Sequence, residues 1–494
     1  MDADEYTEPP ADDAPAAPSP AEALGLDGAR LAARTRQALY RVPPDELARL
    51  HERVREACIA RHMDYFHEGR RETIRVFPCP ITVLPEQLAY AHAVTRILHA
   101  AMLRMPELYL AHPEVRRILR LTPAEDEWLR ASWTPAHAAT NPVFDRLDAL
   151  VDFASPIWKE TFRFIEPNLT GVGGLYLIPS VEEVVDEVAV PLIVAHDHGL
   201  RFARLADCRE LLLERLRLHL GTLGRSGGRI CLVEPKYELE GIDEQRRLVE
   251  YYAARHGISV LHADPSELVL RRGEVYCGDQ RVDLVYRDYG VLDLVELEAE
   301  GADVSAMRAL FRENRVVSSI GAELDHKSCW EILTDPALAE RYFSEEERRC
   351  FGRHVLWTRV VADRRTLLPN GESGELMEFA RREQETLVLK PSRGYGGEGV
   401  LIGHTVSAGD WEHALNAALG SEELWVVQRM AQIPVLEVPA LAPDGTLHPE
   451  AFYHVSGFAS GPHGLAILAR ASQRQVVNVA QRGGMCAVLQ VQEA

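Results

Sequence analysis

Between Leu387 and Ile402 the chain sets Lys390 at the end of an apolar run. Ser392 and Arg393 follow, then Gly394, Gly396, Gly397 and Gly399, then a second apolar run ending in Ile402. Apolar runs of this length read as strands, and glycines let a connecting loop take positive φ and bring backbone N–H groups close to a ligand. Converging N–H groups bind anions, most often phosphate, and a lysine at the strand end adds a point charge aimed the same way. An ordinary glycine-rich hairpin with a surface lysine is the plain alternative.

A second set of residues lies well upstream. Glu166 and Asn168 are two apart on a strand-like run from Thr161, so both project from one face. The run Phe144 to Phe153 before it reads as a partner strand in a hairpin. A carboxylate and an amide oxygen on one face, with a further carboxylate on the neighbouring strand, suit a hard cation such as Mg²⁺. Gly171, Gly173 and Gly174 then allow a turn. An acidic strand end followed by a loop is the alternative here. His196, Asp197 and His198 are adjacent, which on a strand turns them to opposite faces and argues against a metal triplet.

The elements that must position these residues follow from composition and periodicity. The 494 residues allow about three domains. A hydrophobic fraction of 46% permits large cores, and a net charge of −21 argues against nucleic-acid or anionic-membrane partners. Eight cysteines are scattered without CxxC spacing, which reads as free thiols in a reducing cytosol. No secretory signal or membrane-spanning run is legible, so a cytoplasmic location is expected.

Residues 1–20 read as a disordered acidic Ala/Pro tail, and 21–133 as a helical region that includes a helix from Leu84 to Met105. Residues 134–228 carry the Glu166 and Asn168 pair. Residues 229–312 alternate strand and helix, predicting a small parallel α/β unit without a dinucleotide-binding glycine motif. Arg287 ends one of its strands, where a substrate-carboxylate role competes with a plain surface arginine. Residues 313–494 hold a helix with Asp325 as N-cap and Lys327 in its first turn, which is unfavourable unless an anion lies there. They also hold the glycine hairpin, a strand Leu424 to Gln428, a proline-spaced linker at Pro434 and Pro439, and a second glycine loop at Gly483 and Gly484.

In this order the pieces resemble an ATP-grasp ligase of the circularly permuted type, the branch of eukaryotic-type glutathione synthetase and glutathionylspermidine synthetase. Arg146-x-Asp148 and Glu166-x-Asn168 precede Lys327, Lys390 and the loop Arg393 to Gly399, over roughly residues 140 to 490. The resemblance implies an α/β ATP-grasp fold with an α/β substrate lobe. It also implies ATP and Mg²⁺ as cofactors and an ADP-forming condensation of a carboxylate with an amine through an acyl phosphate.

By the same resemblance Asp148, Glu166 and Asn168 hold Mg²⁺. Lys327, Lys390, Ser392, Gly394, Gly396 and Gly397 hold phosphates, and Gln428, Arg429 and Met430 form the adenine hinge. Arg146, Arg393 and Arg470 make up the catalytic set, Arg146 stabilising charge on the γ-phosphate or acyl phosphate and Arg470 facing the acceptor with Gly483 and Gly484, while Arg287 stays the strand-end candidate for a substrate carboxylate. Those substrates are a small carboxylate and amine, free or on a carrier protein, and the family commonly forms homodimers. One departure is that Gly394 stands where glutathione synthetase has a third metal-binding glutamate, so either Asp148 supplies the carboxylate, or Glu398 reaches in, or fewer metals bind. A nucleotide-binding pseudoenzyme and a small-molecule kinase are the alternatives to the ligase.

Overall fold

The computed structural model describes residues 20–67, 70–237, 241–394, 397–442, 446–477 and 483–494. Gly396, most of the expected tail over 1–20 and residues 478–482 before Gly483 and Gly484 lie outside them.

The largest unit is an eight-stranded sheet. Its main path runs Val76–Val83, Gly484–Glu493, Leu465–Ser472, Leu447–Ser460, Arg146–Leu150, Arg163–Asn168. Strand Val435–Leu441 pairs with Leu447–Ser460, and Leu200–Ala203 with Gly484–Glu493. Helices Pro85–Ala111 and Leu177–Val188 pack on it. The first begins with proline at its opening position, where a missing N–H costs nothing, and Gln87 accepts from the Leu84 amide at 3.0 Å.

A second sheet, Thr358–Val360, Trp425–Arg429, Leu387–Pro391, Leu401–Ile402, is antiparallel throughout. It carries its own small core around Leu387, Leu389, Trp411 and Val427. The third is the expected parallel unit, ordered Val316–Val317, Leu284–Arg287, Ile230–Val233, Leu261–Ala263. Its hairpin Leu268–Arg271 and Glu274–Cys277 turns at Arg272 and Gly273 as the sequence suggests. No helix among the described residues is long and apolar enough to cross a membrane.

Several expectations change. The region 21–133 is not purely helical: it contains strands Asp64–His67, Arg70–Thr73 and Val76–Val83. The last of these is buried along its whole length and pairs in parallel with the C-terminal strand. Pro78 and Pro80 obscured it, since proline demotes a strand reading unless the ladder passes it by. The proline-spaced linker is strand Val435–Leu441, with Pro439 opposite Pro449. The helix expected from Asp325 is Cys329–Thr334, so Lys327 precedes it. The Asp325 carboxylate instead accepts from the Leu169 and Thr170 amides and the Thr170 hydroxyl.

Arg287 is buried, not a surface residue. It donates to the carbonyls of Ser318, Tyr289 and Ser319 and pairs with the buried Glu323. Its donors are occupied in holding the strand end to the segment 318–323. Removing one partner of a buried pair leaves an uncompensated charge, so Arg287→Met is expected to cost about 3–5 kcal/mol of stability by chemical unfolding. A stability unchanged within error would show that the pair does not anchor this lobe.

Candidate active site

The hairpin Arg146–Leu150 and Arg163–Asn168 pairs Arg146 with Asn168 and Asp148 with Glu166. Directly opposed residues share a face, so all four side chains project together. Asp148 is buried and bound twice. Arg146 Nε donates to its Oδ1 at 2.8 Å, and Arg470 Nη2, from strand Leu465–Ser472, donates to its Oδ2. Burial works against the charge on Asp148, but the two guanidiniums outweigh it and hold the carboxyl below its usual range.

Arg470 reaches Asp148 across the intervening strand because that strand carries Gly457 opposite Asp148. A Cβ there would lie 2.5 Å from Asp148 Oδ1 and 2.6 Å from Arg146 Cδ. Arg146 Nη1 also donates to Gly173 O, tying down the glycine turn after Asn168. Asn168 Nδ2 donates to Arg146 O at 3.1 Å, which fixes the amide.

Facing this hairpin across a narrow cavity of about 130 Å³ is the second sheet with its glycine hairpin. Lys390, at the end of strand Leu387–Pro391, donates to Ile165 O at 3.0 Å, and Gln428 Nε2 approaches the same carbonyl at 3.4 Å. Gln428 is held further by Thr358 Oγ1 at 2.8 Å. Lys327 Nζ donates to Gly394 O at 2.8 Å and stands 3.5 Å from Glu166 Oε2. Gly394, at φ +102°, therefore contributes a carbonyl to Lys327. Glu398 is exposed and does not line the cavity.

Leu150, Val388, Ile402 and Ile433 give the cavity apolar walls, and Arg429, Met430 and Ala431 close one side. Gly397 lines it too, with Val476 close enough that a Cβ would meet it at 2.5 Å. Two lining residues carry buried polar atoms without a partner among the described residues, Arg470 Nε and Gln475 Oε1. A donor and an acceptor left bare in one cavity are suited to a polar ligand.

The oxygen donors fit Mg²⁺ in a restricted way. Asp148 is committed to two arginines, so Glu166 and Asn168 are the candidates. Among the described residues no group of three His, Cys, Asp or Glu could hold an ion. An ion bound at Glu166 and Asn168 would draw the rest of its shell from phosphate and water, which is the habit of Mg²⁺.

Other expected site residues lie elsewhere. Arg393 makes a two-pronged pair with the buried Glu125 of helix Pro123–Ser132, outside the cavity. Ser392 is buried beneath the loop, its carbonyl accepting from the Lys327 amide and its hydroxyl from the Ser328 amide. Gly484 packs where a Cβ would strike Phe77 at 2.7 Å, and neither it nor Gly483 lines the cavity. Gly457, Gln475 and the Ile165 carbonyl escaped the sequence reading. Each matters only through a neighbour distant in the chain, and a carbonyl has no residue signature.

Comparisons with known proteins bear on the fold. No family model matches the chain. Uncharacterised proteins of Mycobacterium bovis and Mycobacterium tuberculosis are 25% identical over 343 residues, 65% of this chain and 56% of theirs. The match thus spans a little over half the length of these relatives. A glutathione synthetase-like effector from Globodera pallida, solved without ligand, superposes with a TM-score of 0.59 at 9% identity. That superposition covers 91% of this chain and 98% of the effector. The fold is similar to that of this glutathione synthetase-like effector. The mixed eight-stranded sheet and the antiparallel second sheet both contribute residues to the Lys390 cavity.

Two outcomes follow from the cavity. Burial first, opposed by Glu166 and reinforced by Lys327, brings the Lys390 pKa down to about 7. The unfolded chain keeps this proton to about 10.4, so its contribution to stability rises with pH between those values. A phosphate beside the amine favours the charged form. Nucleotide binding at pH 8 is therefore expected to take up close to one proton, read by calorimetry in buffers of different ionisation enthalpy, and to take up none in Lys390→Met. Equal proton uptake in the variant would assign the effect elsewhere. Gly457→Ala is expected to cost about 1–3 kcal/mol by overpacking, seen as a lowered thermal midpoint. An unshifted midpoint would show that the three strands tolerate a side chain there.

Proposed function

We propose that the protein is an ATP-dependent, ADP-forming ligase that joins a carboxylate to an amine. The observation that carries this reading is Glu166 together with Lys390 in one cavity beneath a glycine hairpin, with Asn168 on the same strand face as Glu166 and Lys327 3.5 Å from Glu166 Oε2. Two lysines and two oxygen donors of this kind suit a nucleoside triphosphate: the ammonium groups meet phosphate, and the apolar walls beside Gln428 to Met430 suit an adenine ring.

Phosphoryl transfer asks a protein mainly for positioning and for charge placed where charge develops. Lys390 and Lys327 hold the phosphates from the hairpin side. Glu166 and Asn168 would hold Mg²⁺ from the other side, and that ion would neutralise phosphate charge. The substrate carboxylate displaces ADP from the γ-phosphorus, giving an acyl phosphate. The amine then attacks the acyl carbon, and phosphate leaves as the C–N bond forms.

Arg146 and Arg470, aligned by Asp148, supply positive charge beside the transferring group. The unpartnered Arg470 Nε and Gln475 Oε1 face the acyl or amine substrate. The hairpin excludes water, which would otherwise hydrolyse the acyl phosphate. Asp148 thus serves as a positioning residue for two arginines instead of a metal ligand.

Incubation with ATP, Mg²⁺, pooled amino acids and hydroxylamine is expected to yield ADP together with a hydroxamate. ADP without hydroxamate would overturn the ligase in favour of a kinase, and AMP would contradict the ADP-forming route. Lys390→Ala is expected to weaken ATP binding by about tenfold or more, the worth of a charge-assisted hydrogen bond. Glu166→Gln is expected to depress turnover with little change in ATP affinity. Full turnover of that variant at limiting Mg²⁺ would remove Glu166 from the metal site.

A further inference from the structure

Behind the hinge lies a second cavity, larger than the first, of about 780 Å³. The two share Leu356, Arg429, Met430 and Ala431 as a common wall. The catalytic reading makes no use of this space, yet its lining is chemically distinctive.

Three arginines from separate elements converge on it. Arg163 comes from strand Arg163–Asn168, Arg348 from helix Glu345–His354 and Arg429 from the end of strand Trp425–Arg429. Arg163 Nη1 and Arg348 Nε are buried atoms with no hydrogen-bond partner among the described residues. The carboxylate nearest Arg163 is Glu160, at 3.9 Å, and Arg353 binds that same carboxylate more closely. The other acid in the lining, Glu340, is exposed.

In a chain of net charge −21 these guanidiniums would be expected to find carboxylates readily. Here Arg163 has Arg353 and Arg429 as neighbours instead. Burial, opposed by Glu160 and reinforced by Arg353 and Arg429, lowers the Arg163 pKa from its usual value. A bound anion would relieve both costs by giving the bare N–H groups an acceptor and cancelling like charge. Planar guanidiniums suit phosphate oxygens in particular. The remaining wall is apolar, with Leu333, Val355 and the half-buried Trp357 presenting surface for an uncharged body.

We propose that this cavity is a second ligand site, taking a phosphorylated small molecule with its phosphate on Arg163 and Arg348 and an apolar or aromatic body against Trp357. Inorganic pyrophosphate serves as a probe of the charged end. It is titrated calorimetrically into the full chain presaturated with ADP, so that the nucleotide cavity is already filled. A saturable event is expected. It should weaken by about tenfold in the Arg163→Gln/Arg348→Gln double variant, the worth of one or two charge-assisted hydrogen bonds, while ADP affinity without pyrophosphate stays unchanged.

No saturable binding, or equal binding in the double variant, would overturn the proposal. Should the double variant not fold, arginine modification of the unaltered chain by phenylglyoxal decides. Protection of Arg163 and Arg348 by pyrophosphate supports the site, and unchanged labelling overturns it. Because the readout is binding and not turnover, failure here leaves the ligase reading standing, and failure of the ligase assay leaves this site standing.

Discussion

A carboxylate without water needs a partner, and Asp148 has two. The cost of burying an unpaired charge is several kcal/mol, so the fold must deliver Arg146 and Arg470 to one point or forgo the acid. Arg146 and Asp148 share a strand, whereas Arg470 comes from beyond a second one. Three strands are thereby fixed against one another. A slip of one residue would turn any of them over and leave Asp148 facing the wrong side. The same register sets Glu166 opposite Asp148 and Asn168 opposite Arg146, so the order of the oxygen donors follows from the satisfaction of one buried charge.

The opposing sheet is joined to this hairpin by equally economical means. One carbonyl, that of Ile165, takes the ammonium of Lys390 and lies near the Gln428 amide. Lys327 spans from Gly394 O to Glu166. Below the loop, Glu125 caps its own helix by accepting from the Thr122 amide and also grips Arg393. The root of the glycine hairpin is therefore held by the N-terminal region, which gives that region a part in the site although it contributes nothing to the cavity lining.

Much of this was legible beforehand because it rests on local spacing. Two residues apart on a strand means one face, so Glu166 with Asn168 and Arg146 with Asp148 could be placed from sequence. The glycine hairpin was legible through its two flanking apolar runs. What stayed hidden depended on remote partners. Arg287 reads as a strand-end arginine until Glu323 is folded beside it. Arg393 reads as part of a phosphate loop until Glu125 claims it. Asp148 reads as a metal ligand until Arg470 arrives from the far end of the chain. Strand Val76–Val83 was masked by prolines that only a particular ladder tolerates.

Gly457 marks the limit of what this architecture can vary. Most positions of a sheet accept substitution because a neighbour can shift, but here the surrounding atoms belong to a paired acid and base that cannot move apart without losing each other. The empty space above one α-carbon is thus a constraint on the sequence. A chain with a side chain at this position cannot bring its own counterpart of Arg470 onto its counterpart of Asp148. Such a chain, whatever its fold, would have to balance that buried acid by other means.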